Sequence, residues 1–79
     1  MNKILFFSSS TCGPCKVMKS YMTEELIDTY NIKILSAEKD FDDFIQHKVQ
    51  SVPTLIKLEE NKETKRLVGF KTLEEIKGL

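Results

Sequence analysis

Short apolar stretches bounded by polar and turn-forming residues predict four strands along this chain. They lie over about residues 3–8, 31–36, 54–58 and 65–69, each of ordinary strand length. Between the first two, apolar residues recur at spacings of three and four, which predicts one amphipathic helix over about residues 14–29. The residues expected to give this helix its apolar face are Val17, Met18, Tyr21, Met22 and Leu26.

The second half of the chain predicts two shorter helices. One covers about residues 41–48, and Asp40 before it is of a residue type favoured at helix N-caps. The other begins at about residue 73, where Thr72 and Glu75 have the spacing of a capping box. Both helices therefore have a recognisable start in the sequence.

The order of these elements, βαβαββα, limits how the sheet can be built. A strand–helix–strand crossover is right-handed and parallel in nearly all proteins, so we expect the first two strands to be parallel. The turn from Glu59 to Glu63 makes the last two strands an antiparallel hairpin. The expected fold class is α/β, a four-stranded mixed sheet with helices on both faces, in a single domain over residues 1–79.

Composition and charge narrow the functional classes. Among 79 residues, 12 basic and 12 acidic side chains cancel, so the net charge gives no indication of nucleic-acid or membrane binding. No stretch reaches the length of a membrane span, and the N-terminal apolar run ends at Ser8, too early for a signal-peptide core. We therefore expect a monomer in the cytoplasm, where paired cysteines serve catalysis more often than structure.

The two cysteines, Cys12 and Cys15, stand where the first strand and a polar loop give way to the first helix. Gly13 and Pro14 separate them and Lys16 follows; Pro14 suits the first helical turn. Cys12 is thereby expected at the helix N-terminus, where free N–H groups and the helix dipole favour a thiolate. Cys15 lies one turn along, within the ~4.4–6.8 Å between Cα atoms that a disulfide spans. The pair is expected to form a reversible two-electron couple.

Other roles for the cysteines are weighed against this one. As a structural crosslink, a four-residue loop removes only about 2 kcal/mol of chain entropy. A structural zinc site needs four ligands, and the chain adds only His47, which we interpret as a solvated helix residue, to the two cysteines. Redox chemistry is favoured, while a crosslink, a metal site shared between molecules and inert thiols remain open.

Three motifs in order resemble the thioredoxin superfamily: Cys12-Gly13-Pro14-Cys15-Lys16, Ser51-Val52-Pro53-Thr54 and Val68-Gly69. The Cys-Gly-Pro-Cys form is similar to thioredoxin, whereas the small size is similar to glutaredoxin. The resemblance implies a thioredoxin-like fold and a thiol–disulfide oxidoreductase that needs no metal or organic cofactor. It also implies disulfide-containing protein substrates and an electron donor that is either a reductase of the thioredoxin-reductase type or glutathione.

The same resemblance implies a substrate groove around the cysteines. Pro53 would follow a cis peptide bond, and the backbone of Val52 would pair with an extended substrate segment. Thr11, Thr54 and Gly69 would complete the groove, and the absence of a side chain at Gly69 permits close approach.

The chain departs from the family pattern at two positions. Thr11 stands where thioredoxins usually carry Trp, and Phe6 stands where they place a buried Asp that helps to deprotonate the resolving thiol. The proton of Cys15 must then pass to water, to another group such as the leaving thiolate, or to a carboxylate such as Glu38 or Asp40.

Three functions are compared. The favoured one is a thiol–disulfide oxidoreductase that reduces protein disulfides through Cys12 and Cys15. A glutathione-dependent glutaredoxin would need groups for the glutathione carboxylates, for which Lys3, Lys16 and Thr54 are candidates. A redox-sensing or interaction module without enzymatic activity is disfavoured, because a scaffold needs neither sulfur.

Overall fold

The computed structural model describes residues 2–79, which form four strands and four helices. Within that range no helix is long and apolar enough to cross a membrane. The elements are β1 (Asn2–Ser8), α1 (Gly13–Tyr21), α2 (Glu24–Tyr30), β2 (Ile32–Ser36), α3 (Phe41–Gln46), β3 (Thr54–Glu59), β4 (Lys62–Val68) and α4 (Leu73–Lys77).

The strands form one mixed sheet in the order β2-β1-β3-β4. β1 pairs parallel to β2 and antiparallel to β3, and β4 pairs antiparallel to β3. Near the carboxyl end of β1, Phe7 lies opposite Leu35 on one side and Thr54 on the other. The predicted fold class is confirmed, and the loops that follow β1 and precede β3 meet at one edge of the sheet.

Each face of the sheet carries a buried core. Successive side chains of β1 point to opposite faces, so Ile4 and Phe6 belong to one cluster and Leu5 and Phe7 to the other. Phe44 of α3 packs on the second face. The residues buried on the first face by α1, α2, α4 and the turn between α1 and α2 are Cys15, Met18, Met22, Leu26 and Ile76, with Tyr21 half-buried beside them. Helices therefore cover both faces, as the sequence predicts.

The prediction of one helix over about residues 14–29 is wrong, because two helices occupy this span. α1 ends at Tyr21, and Thr23 then caps α2 by accepting a hydrogen bond on its hydroxyl from the Leu26 N–H, 3.2 Å away. Threonine favours this position, and acidic residues in the first turn of α2 suit the positive end of the helix dipole. The apolar spacing continues across the break, so periodicity alone does not reveal it.

The predicted hairpin between β3 and β4 is confirmed, but its turn is shorter than expected. Glu59 pairs with Lys62, which leaves Glu60 and Asn61 as a two-residue turn. Both have positive φ, 53° and 65°, as tight hairpin turns of this kind require. β4 consequently starts at Lys62 rather than near residue 65.

The helix starts predicted from capping residues have mixed outcomes. The capping box of α4 is confirmed, because the Glu75 N–H donates to the Thr72 hydroxyl at 3.3 Å and the Thr72 N–H donates to Glu75 Oε1 at 3.1 Å. Asp40 stands at the N-cap of α3 but makes no capping bond; its carboxylate accepts from the Ser36 N–H at 3.0 Å. α3 also ends at Gln46, two residues before the predicted end.

Candidate redox site

Cys12 is the N-cap residue of α1, as predicted, and is joined to Cys15 by a disulfide. The two Cα atoms are 5.2 Å apart. The Cys15 N–H donates to Cys12 Sγ at 3.1 Å, and the Cys12 N–H donates to the Ser9 carbonyl at 3.2 Å. Pro14 lies in the first helical turn, where a missing N–H costs no hydrogen bond. The Cys12 sulfur is therefore held at the positive end of the helix.

The two bonded cysteines differ in exposure. Cys12 is half-buried, whereas Cys15 is 0% exposed and belongs to the apolar cluster that contains Phe6 and Met18. The helix turn between them carries Cys15 inward and leaves Cys12 at the surface. Only Cys12 is open to a reactant from solution.

A carboxylate fixes the polar loop that leads to Cys12. Glu38 accepts hydrogen bonds from the Ser10 N–H and the Ser9 hydroxyl, each at 3.2 Å. These bonds, the one from the Ser10 backbone foremost, hold the pKa of Glu38 below its ordinary value. Thr11, which is exposed, adds a bond from its N–H to the Ser9 hydroxyl at 3.3 Å. The local sequence gives no signal for this role, because Glu38 is distant along the chain from the serines.

Neither carboxylate considered as a proton acceptor for Cys15 is bonded to that residue. Glu38 bonds the serine loop and Asp40 bonds the Ser36 N–H. Phe6 is 0% exposed in the same cluster as Cys15. Within residues 2–79, the Cys15 sulfur is therefore bonded to Cys12 and surrounded by apolar side chains.

The Val52–Pro53 peptide bond is cis, as the motif predicts. The Gly69 N–H donates to the Pro53 carbonyl at 2.8 Å, which ties the end of β4 to this loop. Gly69 has φ of 92°, a conformation that favours glycine. In the described part of the chain, the N–H and carbonyl of Val52 have no hydrogen-bond partner. Both groups are therefore available to pair with an additional strand.

The structure brings most of the predicted groove residues to one edge of the sheet. Cys12 and Val52 pack against the same buried cluster, and Gly69 follows the strand that pairs with β3. We call the surface formed by Thr11, Cys12, Val52 and Gly69 the redox edge. Pro53 is buried just beneath it.

Two further candidates do not lie on this surface. Thr54 is 1% exposed, and its hydroxyl donates to the Ser51 carbonyl at 2.8 Å. Lys3 lies near the start of β1, about 17 Å from Ser8 at a rise of about 3.3 Å per residue. Lys16 is exposed on α1, as expected for a surface lysine.

An arginine on β4 fastens the end of α3. The Arg66 guanidinium donates to the His47 carbonyl at 2.6 Å and to the Lys48 carbonyl at 3.4 Å. It also forms an ion pair with Glu63 at 2.8 Å. The hydrogen bonds that Arg66 donates to this carboxylate lower the pKa of Glu63. The His47 ring lies 5.8 Å from the Phe7 ring and is half-buried, so its interpretation as a solvated residue is wrong. The contacts of Arg66 with the end of α3 join residues 18 and 19 positions apart, so they leave no local sequence signal.

A half-buried cysteine at a helix N-terminus, bonded to a fully buried one and accompanied by a cis-proline loop, is the arrangement of a thiol–disulfide oxidoreductase. Comparisons with known proteins agree. The family model named Thioredoxin matches residues 2–79. Thioredoxin-1 of Drosophila melanogaster is 35% identical over 78 residues, which are 94% of this chain and 69% of that protein.

Thioredoxin H-type of Fagopyrum esculentum is 29% identical over 68 residues, which are 84% of this chain and 59% of that protein. The crystal structure of the thioredoxin NaTrxh from Nicotiana alata has a TM-score of 0.81 at 28% identity, with 98% of this chain and 68% of that one covered. The chain belongs to the thioredoxin family.

Proposed function

We propose that this protein reduces disulfides in other proteins, with Cys12 as the nucleophile and Cys15 as the resolving thiol. The observation that carries the proposal is their unequal exposure, since Cys12 is at the surface and Cys15 is 0% exposed. A substrate disulfide that approaches the molecule meets Cys12 first.

In the first step, the Cys12 thiolate of the reduced protein attacks one sulfur of the substrate disulfide. A mixed disulfide forms, and the other substrate sulfur leaves as a thiolate. The free N–H groups at the start of α1 and the Cys15 N–H stabilise the attacking thiolate. The backbone of Val52 holds the substrate segment by strand-like hydrogen bonds.

In the second step, Cys15 loses its proton and attacks the Cys12 sulfur. The Cys12–Cys15 disulfide forms and the second substrate thiolate leaves, so two electrons have passed to the substrate. The proton of Cys15 goes to the departing thiolate or to water, since Glu38 and Asp40 are occupied by backbone N–H groups.

The electron donor that we propose is a flavoenzyme of the thioredoxin-reductase type. Glutathione carries two carboxylates and needs cationic groups beside the cysteines, but of the two candidate lysines only Lys16 lies near them, because Lys3 lies at the other end of β1. A reductase instead docks through a protein surface, for which the small and apolar residues of the redox edge are suited. We place the working protein in the cytoplasm, where a cysteine pair is more often catalytic than structural, and we propose that it acts as a monomer.

The test is insulin reduction coupled to NADPH oxidation, run in parallel with a thioredoxin reductase and with glutathione plus glutathione reductase. We expect faster turnover with the thioredoxin reductase and none for Cys12→Ser with either donor. Cys15→Ser should still attack and accumulate mixed disulfides, which mass spectrometry detects. Efficient turnover with glutathione alone would mean that the electron donor is glutathione and not a reductase, while the redox roles of Cys12 and Cys15 would stand. Alkylation of the reduced protein chiefly at Cys15 would reverse the two roles.

A further inference from the structure

An apolar groove of about 630 Å³ lies between α3 and the segment that leads to Pro53. Ala37, Phe44 and Val49 belong to its lining, and Phe44 is also part of the buried core. Ser9 and Val52 line it as well. Apart from Val52, the residues that line the groove take no part in the two chemical steps described above.

Two large apolar side chains stand exposed along one side of this groove. Phe41 is 62% exposed and Ile45 is 60% exposed. They are four residues apart on α3, so they lie on the same face of the helix and form a continuous apolar ridge. Contiguous exposed apolar surface beside a groove is typical of a binding site rather than of a solvated helix face.

The groove is continuous with the redox edge. Ser9 accepts the hydrogen bond from the Cys12 N–H at 3.2 Å, and Val52 belongs to both surfaces. An extended segment whose cysteine sulfur reaches Cys12, and whose backbone pairs with Val52, must have neighbouring residues near this ridge. Alternate side chains of such a segment point to the same side, so a residue two positions from the cysteine is well directed to enter the groove.

The size of the ridge fits a peptide segment better than a second copy of this chain. At the exposures given above, its two side chains offer on the order of 200 Å² together, if a large apolar side chain buries about 150–250 Å². A stable protein–protein interface buries about 800 Å² on each partner.

We propose that Phe41 and Ile45 form a specificity site for substrates that carry a large apolar residue close to the reactive cysteine. This inference rests on the proposed function, because it assigns the substrate class of the same redox couple.

The test compares two disulfide-linked peptides that differ only in the residues two positions before and after the cysteine, Leu in one and Ser in the other. Hydroxyethyl disulfide, which is too small to reach the ridge, measures the redox couple itself. The protein variants are Phe41→Ser, Ile45→Ser and the double variant. Ile34→Ser is the matched control, since Ile34 is 39% exposed on β2 and does not line the groove.

For the wild type and for Ile34→Ser we expect kcat/KM to favour the leucine peptide by about tenfold, because the groove removes its side chain from water. The double variant should lose this preference and reduce hydroxyethyl disulfide at the wild-type rate. Unchanged thermal unfolding should show that it is folded.

A preference that persists in the folded double variant would overturn the inference, as would equal use of both peptides by the wild type. Failure of the wild type to reduce hydroxyethyl disulfide would instead overturn the proposed function. Sedimentation as a dimer that Phe41→Ser dissociates would identify the ridge as a self-association surface and also overturn the inference.

Discussion

Gly69 offers a sharp test of how the redox edge is built. Its φ of 92° is unfavourable for any residue with a side chain, yet a Cβ atom added there would meet nothing within 4 Å. Gly13 has the same free space but lies at the start of α1 without a positive φ. Alanine at the two positions therefore differs in backbone conformation and not in steric contact.

The expected magnitudes follow from this comparison. Alanine in place of glycine lowers the entropy of the unfolded chain, which stabilises a protein by about 0.4–1 kcal/mol where the native backbone permits it. Gly13→Ala should gain this amount. Gly69→Ala gains the same amount but loses about 1–2 kcal/mol to the left-handed backbone, so its free energy of unfolding should fall by up to about 1.6 kcal/mol. The two variants should differ by about 1–2 kcal/mol.

Urea unfolding of the two oxidised variants measures this difference as a shift in midpoint at constant m-value. Gly69→Asn should lie between glycine and alanine, since asparagine tolerates positive φ better than alanine. Equal stability of the two alanine variants would refute the reasoning, because it would mean that the conformation of Gly69 contributes nothing. A fall caused only by a changed m-value would point to the unfolded state instead.

Three other predictions concern the supports of the site. Thr23→Ala should lower the free energy of unfolding by about 1 kcal/mol through loss of the α2 cap. In the same urea assay, Thr23→Ser should retain most of the stabilisation that this cap contributes. Because Arg66 lowers the pKa of Glu63, the stabilisation from this pair is present above about pH 4.5 and is lost as the pH falls through the lowered pKa. Glu63→Gln should thus cost a few tenths of a kcal/mol at pH 7, since both partners are partly exposed, and progressively less as the pH falls through the lowered pKa of Glu63; a deficit that does not shrink on acidification would contradict this. Lys16→Gln should change kcat/KM by less than about threefold, with the effect disappearing in 1 M salt.

Local patterns predict β1, β2 and β3 well because each of these strands is a short apolar run bounded by polar or turn-forming residues. The continuous apolar run of β1, which is buried on both faces of the sheet, is visible in the sequence. β1, β2 and β3 begin and end within about one residue of the predicted limits. The helix break at Thr23 was missed because apolar periodicity continues through it. The predicted hairpin turn is too long because Glu60 is not a residue type that signals positive φ.

The candidate site likewise has some features that the sequence predicts and others that only the fold reveals. The spacing of Cys12 and Cys15 and the approach of a helix indicate the redox pair directly, and the motif around Pro53 indicates the cis bond. The bonds of Glu38 to the serine loop and of Arg66 to the end of α3 join residues that are distant in sequence. No periodicity or spacing encodes such contacts, so only the fold reveals them.

The burial of Cys15 also bears on how the protein withstands chemical damage. A peroxide in solution meets Cys12 and converts its thiolate to a sulfenic acid, the first and reversible stage of cysteine oxidation. The sheltered Cys15 thiol then condenses with that group, releases water and restores the same disulfide that each catalytic cycle produces. An oxidation that would end at an irreversible sulfinic acid on an isolated surface cysteine is thereby returned to the state that the electron donor already reduces.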